Sequence, residues 1–216
     1  MVAVDVAARV AEVRARITRA GGVGVSLVAV TKTFPRSAWF DASAAGCDGI
    51  GENYAQELVS KAAEGAAPLP VHFIGHVQTN KVRALADVVD VWQTVDRASL
   101  ADEIAKRCAA KRPTVFIQVN TSGEESKSGC TPGELGALVV RCRELGLHLD
   151  GLMTIGPTSG DPVATRAACR LLRSLADDHG LAQRSMGMTG DLEIAVEEGS
   201  TMVRVGSAIF GPRPSA

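Results

Sequence analysis

Two charged residues stand where packing alone would not put them. Lys32 ends the run SLVAVTK, and Arg204 lies between Val203 and Val205 in MVRVG. Leu27 to Val30 form a short apolar stretch between Gly21–Gly24 and Pro35, which reads as a buried strand. A lysine leaving such a strand is either a solvated ammonium or a partly desolvated amine, and the second kind condenses with aldehydes as a Schiff base. An arginine inside an apolar strand keeps its charge and needs an acceptor or water. Two loops could bind an anion, SMGMTGD (185–191) and VGSAIFG (205–211). Their glycines let backbone N–H groups come close, Ser and Thr add hydroxyls, and Ser207 opens a helical start whose dipole favours negative charge. Each loop alone reads equally well as a turn or an N-cap. Taken together, the lysine, the fixed cation and the anion site describe a pocket for a phosphorylated aldehyde. Pyridoxal phosphate and a sugar phosphate both fit that description.

Such a pocket needs elements to hold it. Val6, Val10, Val13 and Ile17 fall at helical spacing and predict an amphipathic helix from Val4 to Ile17. The chain then alternates. Strands are expected at 26–32, 48–53, 71–74, within 88–95, and at 114–120, 148–154, 184–188 and 202–205. Helices are expected from Pro35 to about Ala45, at 54–64, after Thr79 as a candidate cap, at 99–111, 132–145, 162–178 and 191–198, and from Ser207. Eight strand–helix units with short connections imply parallel strands and a closed (β/α)8 TIM-type barrel with an additional N-terminal helix. A doubly wound open sheet shares the alternation, but it usually carries a glycine-rich loop after its first strand, and TKTFP has no glycine there. The 216 residues suit one domain, with a leading helix and turn over 1–24 and the barrel over 25–211. Reactive groups in such barrels gather at the C-terminal strand ends, which here carry Lys32, Asn53, Gly75 with His76, Asp96, Asn120 with Thr121, Met153 with Thr154, Ser185 with Gly187 and Thr189, and Arg204 with Gly206 and Ser207.

Composition narrows the function. With 23 basic and 24 acidic residues the net charge is −1, which argues against broad attraction to nucleic acid or anionic membrane. Charges run through the apolar pattern of the N-terminus, so it reads as neither a signal peptide nor a membrane span, and a cytoplasmic protein is expected. Five cysteines with no CxxC pair suit buried reduced thiols. His72 and His76, four apart on an extended segment, would lie about 13 Å from each other, too far for a shared metal. Lys127 reads as a lysine on a polar loop, Tyr54 as a packing residue, and Glu193, Glu197 and Glu198 as a solvated helix face.

The motifs LVAVTKT, GENYAQE, HFIGHVQTNK, TVDR, QVNTSGEESKSG, GLMTIGP and SMGMTGDLEIAVEEGSTMVRVGSAIFG follow one another from about residue 26 to 211. In that order they resemble the pyridoxal phosphate homeostasis proteins, whose barrel is similar to that of bacterial alanine racemase. The resemblance implies that Lys32 holds pyridoxal 5'-phosphate as a Schiff base and that Arg204 faces the pyridine nitrogen. It places the phosphate on Ser185, Met186, Gly187 and Met188 and on Gly206 and Ser207, with Asn53 and Met153 beside the ring. A cation at the ring nitrogen disfavours its protonation and weakens the ring as an electron sink. Two positions depart from the family's usual form: Thr31 where serine is common, and Thr189–Gly190 where Ser-Asp is common.

The implied role is vitamin B6 and amino-acid homeostasis without turnover. Racemisation needs an acid/base on each face of the substrate carbon. Alanine racemase takes a tyrosine for this from a second domain across a dimer, whereas Tyr54, the single tyrosine here, lies in a different context. The alternative is a pyridoxal-phosphate-dependent amino-acid racemase of narrow range. A Schiff-base aldolase would leave Arg204 and the motifs unexplained. Beyond the cofactor, free amino acids and apoenzymes that use it are the implied partners, and the chain is expected to be a monomer.

Overall fold

The computed structural model describes residues 4–212. Its elements are α1 (Val6–Arg19), β1 (Ser26–Val30), α2 (Ser37–Ala44), β2 (Gly49–Glu52), α3 (Ala55–Ala63), β3 (Val71–Phe73), α4 (Val82–Leu85), β4 (Val91–Val95), α5 (Ala98–Arg107), β5 (Thr114–Gln118), α6 (Leu135–Glu144), β6 (His148–Met153), α7 (Pro162–Asp178), β7 (Gln183–Ser185), α8 (Leu192–Glu197), β8 (Met202–Val205) and α9 (Ser207–Phe210). The eight strands run in sequence order round a closed barrel. β1 pairs in parallel with β8, Leu27 opposite Val203 and Ala29 opposite Val205, and this closure rules out the open sheet.

Alternation along the strands sorts side chains into two layers. Ile50, Phe73, Trp92, Ile117 and Leu152 pack outward against Trp39, Leu58, Leu85, Leu100 and Leu172. Val28, Phe116, Met153 and Met202 pack together in a separate cluster inside the barrel. The leading helix has a specific place. α9 is a single turn and cannot cover two strands, so Val10, Val13 and Ile17 of α1 pack on Leu27, Ala29, Val203 and Val205. Asp5 caps α1 by accepting from the Ala8 N–H at 2.9 Å, and the chain then leaves the helix through Gly21 at φ 83°.

Several boundaries differ from expectation for local reasons. β7 covers Gln183–Ser185 rather than 184–188, because Gly187 takes φ 97° and turns the chain. Its positive φ and the 2.7 Å approach of the Ala195 side chain to where a Cβ would lie both require glycine. Thr79 is the first residue of a 3-10 turn (Thr79–Lys81) that Gln78 precedes, not a cap. β1 ends at Val30, so Lys32 sits two residues beyond the ladder. All five cysteines are free and buried. No described helix is long and apolar enough to cross a membrane.

Candidate functional site

At the C-terminal ends of the strands lies a cavity of about 250 Å³. Lys32, Asn53, Met188, Arg204, Gly206 and Ser207 line it, so six of the ten expected residues meet there. The other four lie behind its wall. Met153 is fully buried with Val28, Phe116 and Met202 inside the barrel, and Ile155, two residues further along the same face, lines the cavity in its place. Met186 packs outward into the helix layer. Gly187 accepts the Arg204 backbone N–H at 2.9 Å and routes the loop. Ser185 is fully buried and holds Arg204 rather than facing the cavity.

The lysine side is built from charges. Thr31, Lys32 and Thr33 leave β1, and the backbone on both sides of Lys32 is clamped. Thr31 donates its hydroxyl to Glu52 Oε1 at 2.8 Å, and its carbonyl accepts from Lys61 Nζ at 3.0 Å. Thr33 has φ 68°, unfavourable for a β-branched residue, and its N–H donates to Glu57 Oε1 at 2.7 Å. Lys61 closes the clamp with 2.7 Å to Glu52 and 2.6 Å to Glu57, so each of its three protons has an acceptor. Trp39 Nε1 adds a third donor to Glu52 Oε1 at 2.9 Å. Three donors thus gather on Glu52 Oε1, while its Oε2 is buried with no hydrogen-bond partner among the described residues, so the pair depends on Lys61 staying in place. Lys32 itself reaches out over Tyr54, its Nζ 5.9 Å from the ring centroid.

The arginine side is built from neutral groups. Arg204 is 4% exposed, and its Nη1 and Nη2 donate to Ser185 Oγ at 2.6 Å and to the Thr154 carbonyl at 2.7 Å. Burial lowers its pKa to about 10, against the opposing fields of Asp191 and Cys169, so it stays charged at neutral pH. Between the two sides, the two Gly-rich loops are stitched together. Ser207 Oγ donates to Thr189 Oγ1 at 3.1 Å, and Arg16 of α1 donates to the Thr189 carbonyl at 3.0 Å. Because α9 is one turn long, individual N–H groups and hydroxyls stand there in place of a helix dipole.

Sequence reasoning missed Phe34, Ile74 and Ile155, the apolar walls of the cavity. Three plain readings also change. Glu198 is 6% exposed, held by Arg166 and by Arg170 at 2.8 Å, so it does not belong to a solvated face, whereas Glu193 pairs with Arg16 at 2.6 Å and stays partly exposed. Lys127 is tied to the Gly156 carbonyl and to Glu124 at 3.2 Å. Bonds from Thr158 in turn hold the Glu124 carboxyl down at about 2. Tyr54 is half exposed beside Lys32, not packed away. His72 is buried while His76 is exposed near Asp96 at 3.5 Å, and among the described residues no group of three or more His, Cys, Asp and Glu could hold a metal.

Residues 4–214 match the family described as alanine racemase, N-terminal domain. A pyridoxal phosphate homeostasis protein of Pseudomonas aeruginosa is 44% identical over 220 residues, covering 96% of each chain. That of Escherichia coli is 39% identical over 229 residues, covering 97% of each. Among solved structures, PipY of Synechococcus elongatus with pyridoxal phosphate bound superposes with a TM-score of 0.84 at 31% identity, over 95% of this chain and all of that one. Alanine racemase from Corynebacterium glutamicum shares the fold, with a TM-score of 0.75 at 19% identity over 99% of this chain but 63% of that one. The closed barrel and these likenesses agree, and the chain belongs to the pyridoxal phosphate homeostasis proteins, on the alanine racemase N-terminal domain.

Proposed function

We propose that this protein binds pyridoxal 5'-phosphate through Lys32 and serves vitamin B6 and amino-acid homeostasis within the cell, without catalytic turnover. One observation carries the reading: an amine, a buried guanidinium and two hydroxyl-bearing loops converge on a single cavity of about 250 Å³. That donor set suits this cofactor part by part. Lys32 is the amine for the aldehyde, Arg204 the cation for the ring nitrogen, and Ile74 and Ile155 offer apolar walls for the ring. Thr189, Gly206 and Ser207 stand where the phosphate would lie. When bound, the cofactor supplies an electrophilic aldehyde carbon and an aromatic ring able to withdraw electrons.

The protein's residues determine how far that chemistry goes. The clamp on Thr31 and Thr33 orients the amine, and Arg204 keeps a proton off the ring nitrogen, which limits electron withdrawal. Tyr54 lies next to Lys32, so the two do not form the opposed pair that inversion of a carbon centre needs. Curated relatives carry the name of homeostasis proteins, which supports the same role. The chain is proposed to act as one cofactor-binding domain and as a monomer, releasing its cargo to apoenzymes or free amino acids.

NMR of the holoprotein with alanine and a panel of amino acids in D₂O tests this. The expected outcome is a spectral change of the cofactor with negligible exchange of the Cα hydrogen. Exchange at about 1 s⁻¹ or faster, lost in Lys32→Ala, would establish the narrow racemase instead.

A further inference from the structure

Behind Arg204 runs a single chain of hydrogen bonds that reaches across the barrel interior. Arg204 Nη1 lies 2.6 Å from Ser185 Oγ, which lies 2.6 Å from Gln93 Oε1. Gln93 Nε2 is 2.7 Å from His72 Nδ1 and 3.1 Å from Met202 Sδ. None of the four linked residues is more than 5% exposed.

The arginine dictates the direction of every proton along this chain. A guanidinium only donates, so Ser185 Oγ accepts from it and passes its own proton to Gln93 Oε1. That fixes the amide orientation, turns Nε2 toward His72 and makes Nδ1 an acceptor. The imidazole proton therefore sits on Nε2 and the ring is neutral. Burial agrees with this, pushing the His72 pKa down to about 4 while Asp90 acts weakly in the other direction. β2 makes room for the ring, since a Cβ on Gly49 would lie 2.7 Å from His72 Nε2. Packing alone would not call for this arrangement. The neighbouring interior is filled by Val28, Phe116, Met153 and Met202, and well-packed apolar groups generally serve stability as well as buried polar ones.

We infer that Gln93 and His72 are positioning residues for Arg204. Acting through Ser185, they fix the guanidinium with neutral partners, so its charge is aimed undivided at the ring-nitrogen end of the cavity and sets the protonation state of a bound pyridine. The inference rests on the reading that Arg204 faces that nitrogen. Asp191 is the carboxylate whose field reaches Arg204, and its Oδ1 is engaged by the Met188 N–H at 2.6 Å.

Pyridoxal 5'-phosphate labelled with ¹⁵N in the ring, bound to wild type, Arg204→Gln, Gln93→Glu and Gln93→Leu, tests it. The wild-type nitrogen should resonate as unprotonated, and Arg204→Gln should move it toward the protonated position. Gln93→Glu keeps an acceptor for Ser185 but places an anion two links from the guanidinium, so the resonance should move the same way by a smaller amount. Gln93→Leu breaks the chain and should raise the cofactor dissociation constant about three- to tenfold. If Gln93→Leu does not fold, Gln93→Glu decides. A protonated nitrogen in wild type would overturn the Arg204 reading and this inference with it. A shift in Arg204→Gln with no change in either folded Gln93 variant would overturn the inference alone.

Discussion

The two walls of the cavity are held by opposite means. On the lysine side, Glu52, Glu57 and Lys61 form a charged clamp that grips backbone, fixing Thr31 and Thr33 while the Lys32 side chain reaches into the cavity. On the arginine side the partners are neutral: Ser185 and the Thr154 carbonyl grip the guanidinium itself, and Gln93 and His72 stand behind Ser185. The difference follows from what each wall must deliver. On the proposed function Lys32 changes its bonding at the nitrogen, and the charged clamp fixes the backbone on either side of it. Arg204 must keep a constant charge in a constant place, and a carboxylate partner would cancel part of it.

The largest expected effect breaks the charged wall. Lys61→Ala leaves the fully buried Glu52 carboxylate without its cation and should cost about 3–5 kcal/mol in urea unfolding. A loss under about 1 kcal/mol would mean that the clamp is not electrostatic.

The neutral wall should fail with acid instead. His72 has a folded pKa of about 4 against an ordinary value of 6.5. Because the folded value is the lower, the unfolded chain takes up the proton first as pH falls. This contribution is complete above pH 6.5 and is lost progressively toward pH 4, by about 3 kcal/mol at most. Urea unfolding at a series of pH values should therefore show a steeper slope in wild type than in His72→Asn over that window, and equal slopes would contradict the assignment.

How much of this was readable beforehand follows the same division. The barrel was legible because each strand and helix announces itself locally, through apolar runs, glycines and helical spacing. Lys32, Asn53 and Arg204 were legible because strand ends can be found by counting along such runs. Ser185 falls at the expected strand end, but its contact with Arg204 has no local signal, since a buried serine can serve a ligand or an arginine equally well. Gln93 and His72 carry no local signal at all. Their meaning comes from four strands closing round a common interior. Glu198 misled for a similar reason: the residues that bury it, Arg166 and Arg170, belong to α7 and lie far away in sequence.

The smallest effect sharpens the comparison. Thr33→Gly relieves the φ of 68° and should raise stability by about 0.5–1 kcal/mol, even after the added freedom of the unfolded chain. The same change loosens the attachment of Lys32 and should slow capture of the cofactor, followed by absorbance on mixing. Unchanged capture would show that the clamp serves the fold only.

The central claim, that Lys32 is the amine that holds the cofactor, is tested most directly by borohydride reduction of the holoprotein followed by peptide mapping. The account predicts a pyridoxyl adduct on the peptide carrying Lys32, abolished in Lys32→Ala together with the wild-type absorbance band. An adduct at Lys61, Lys81 or Lys127 in the wild-type protein, or an unchanged band in Lys32→Ala, would contradict it.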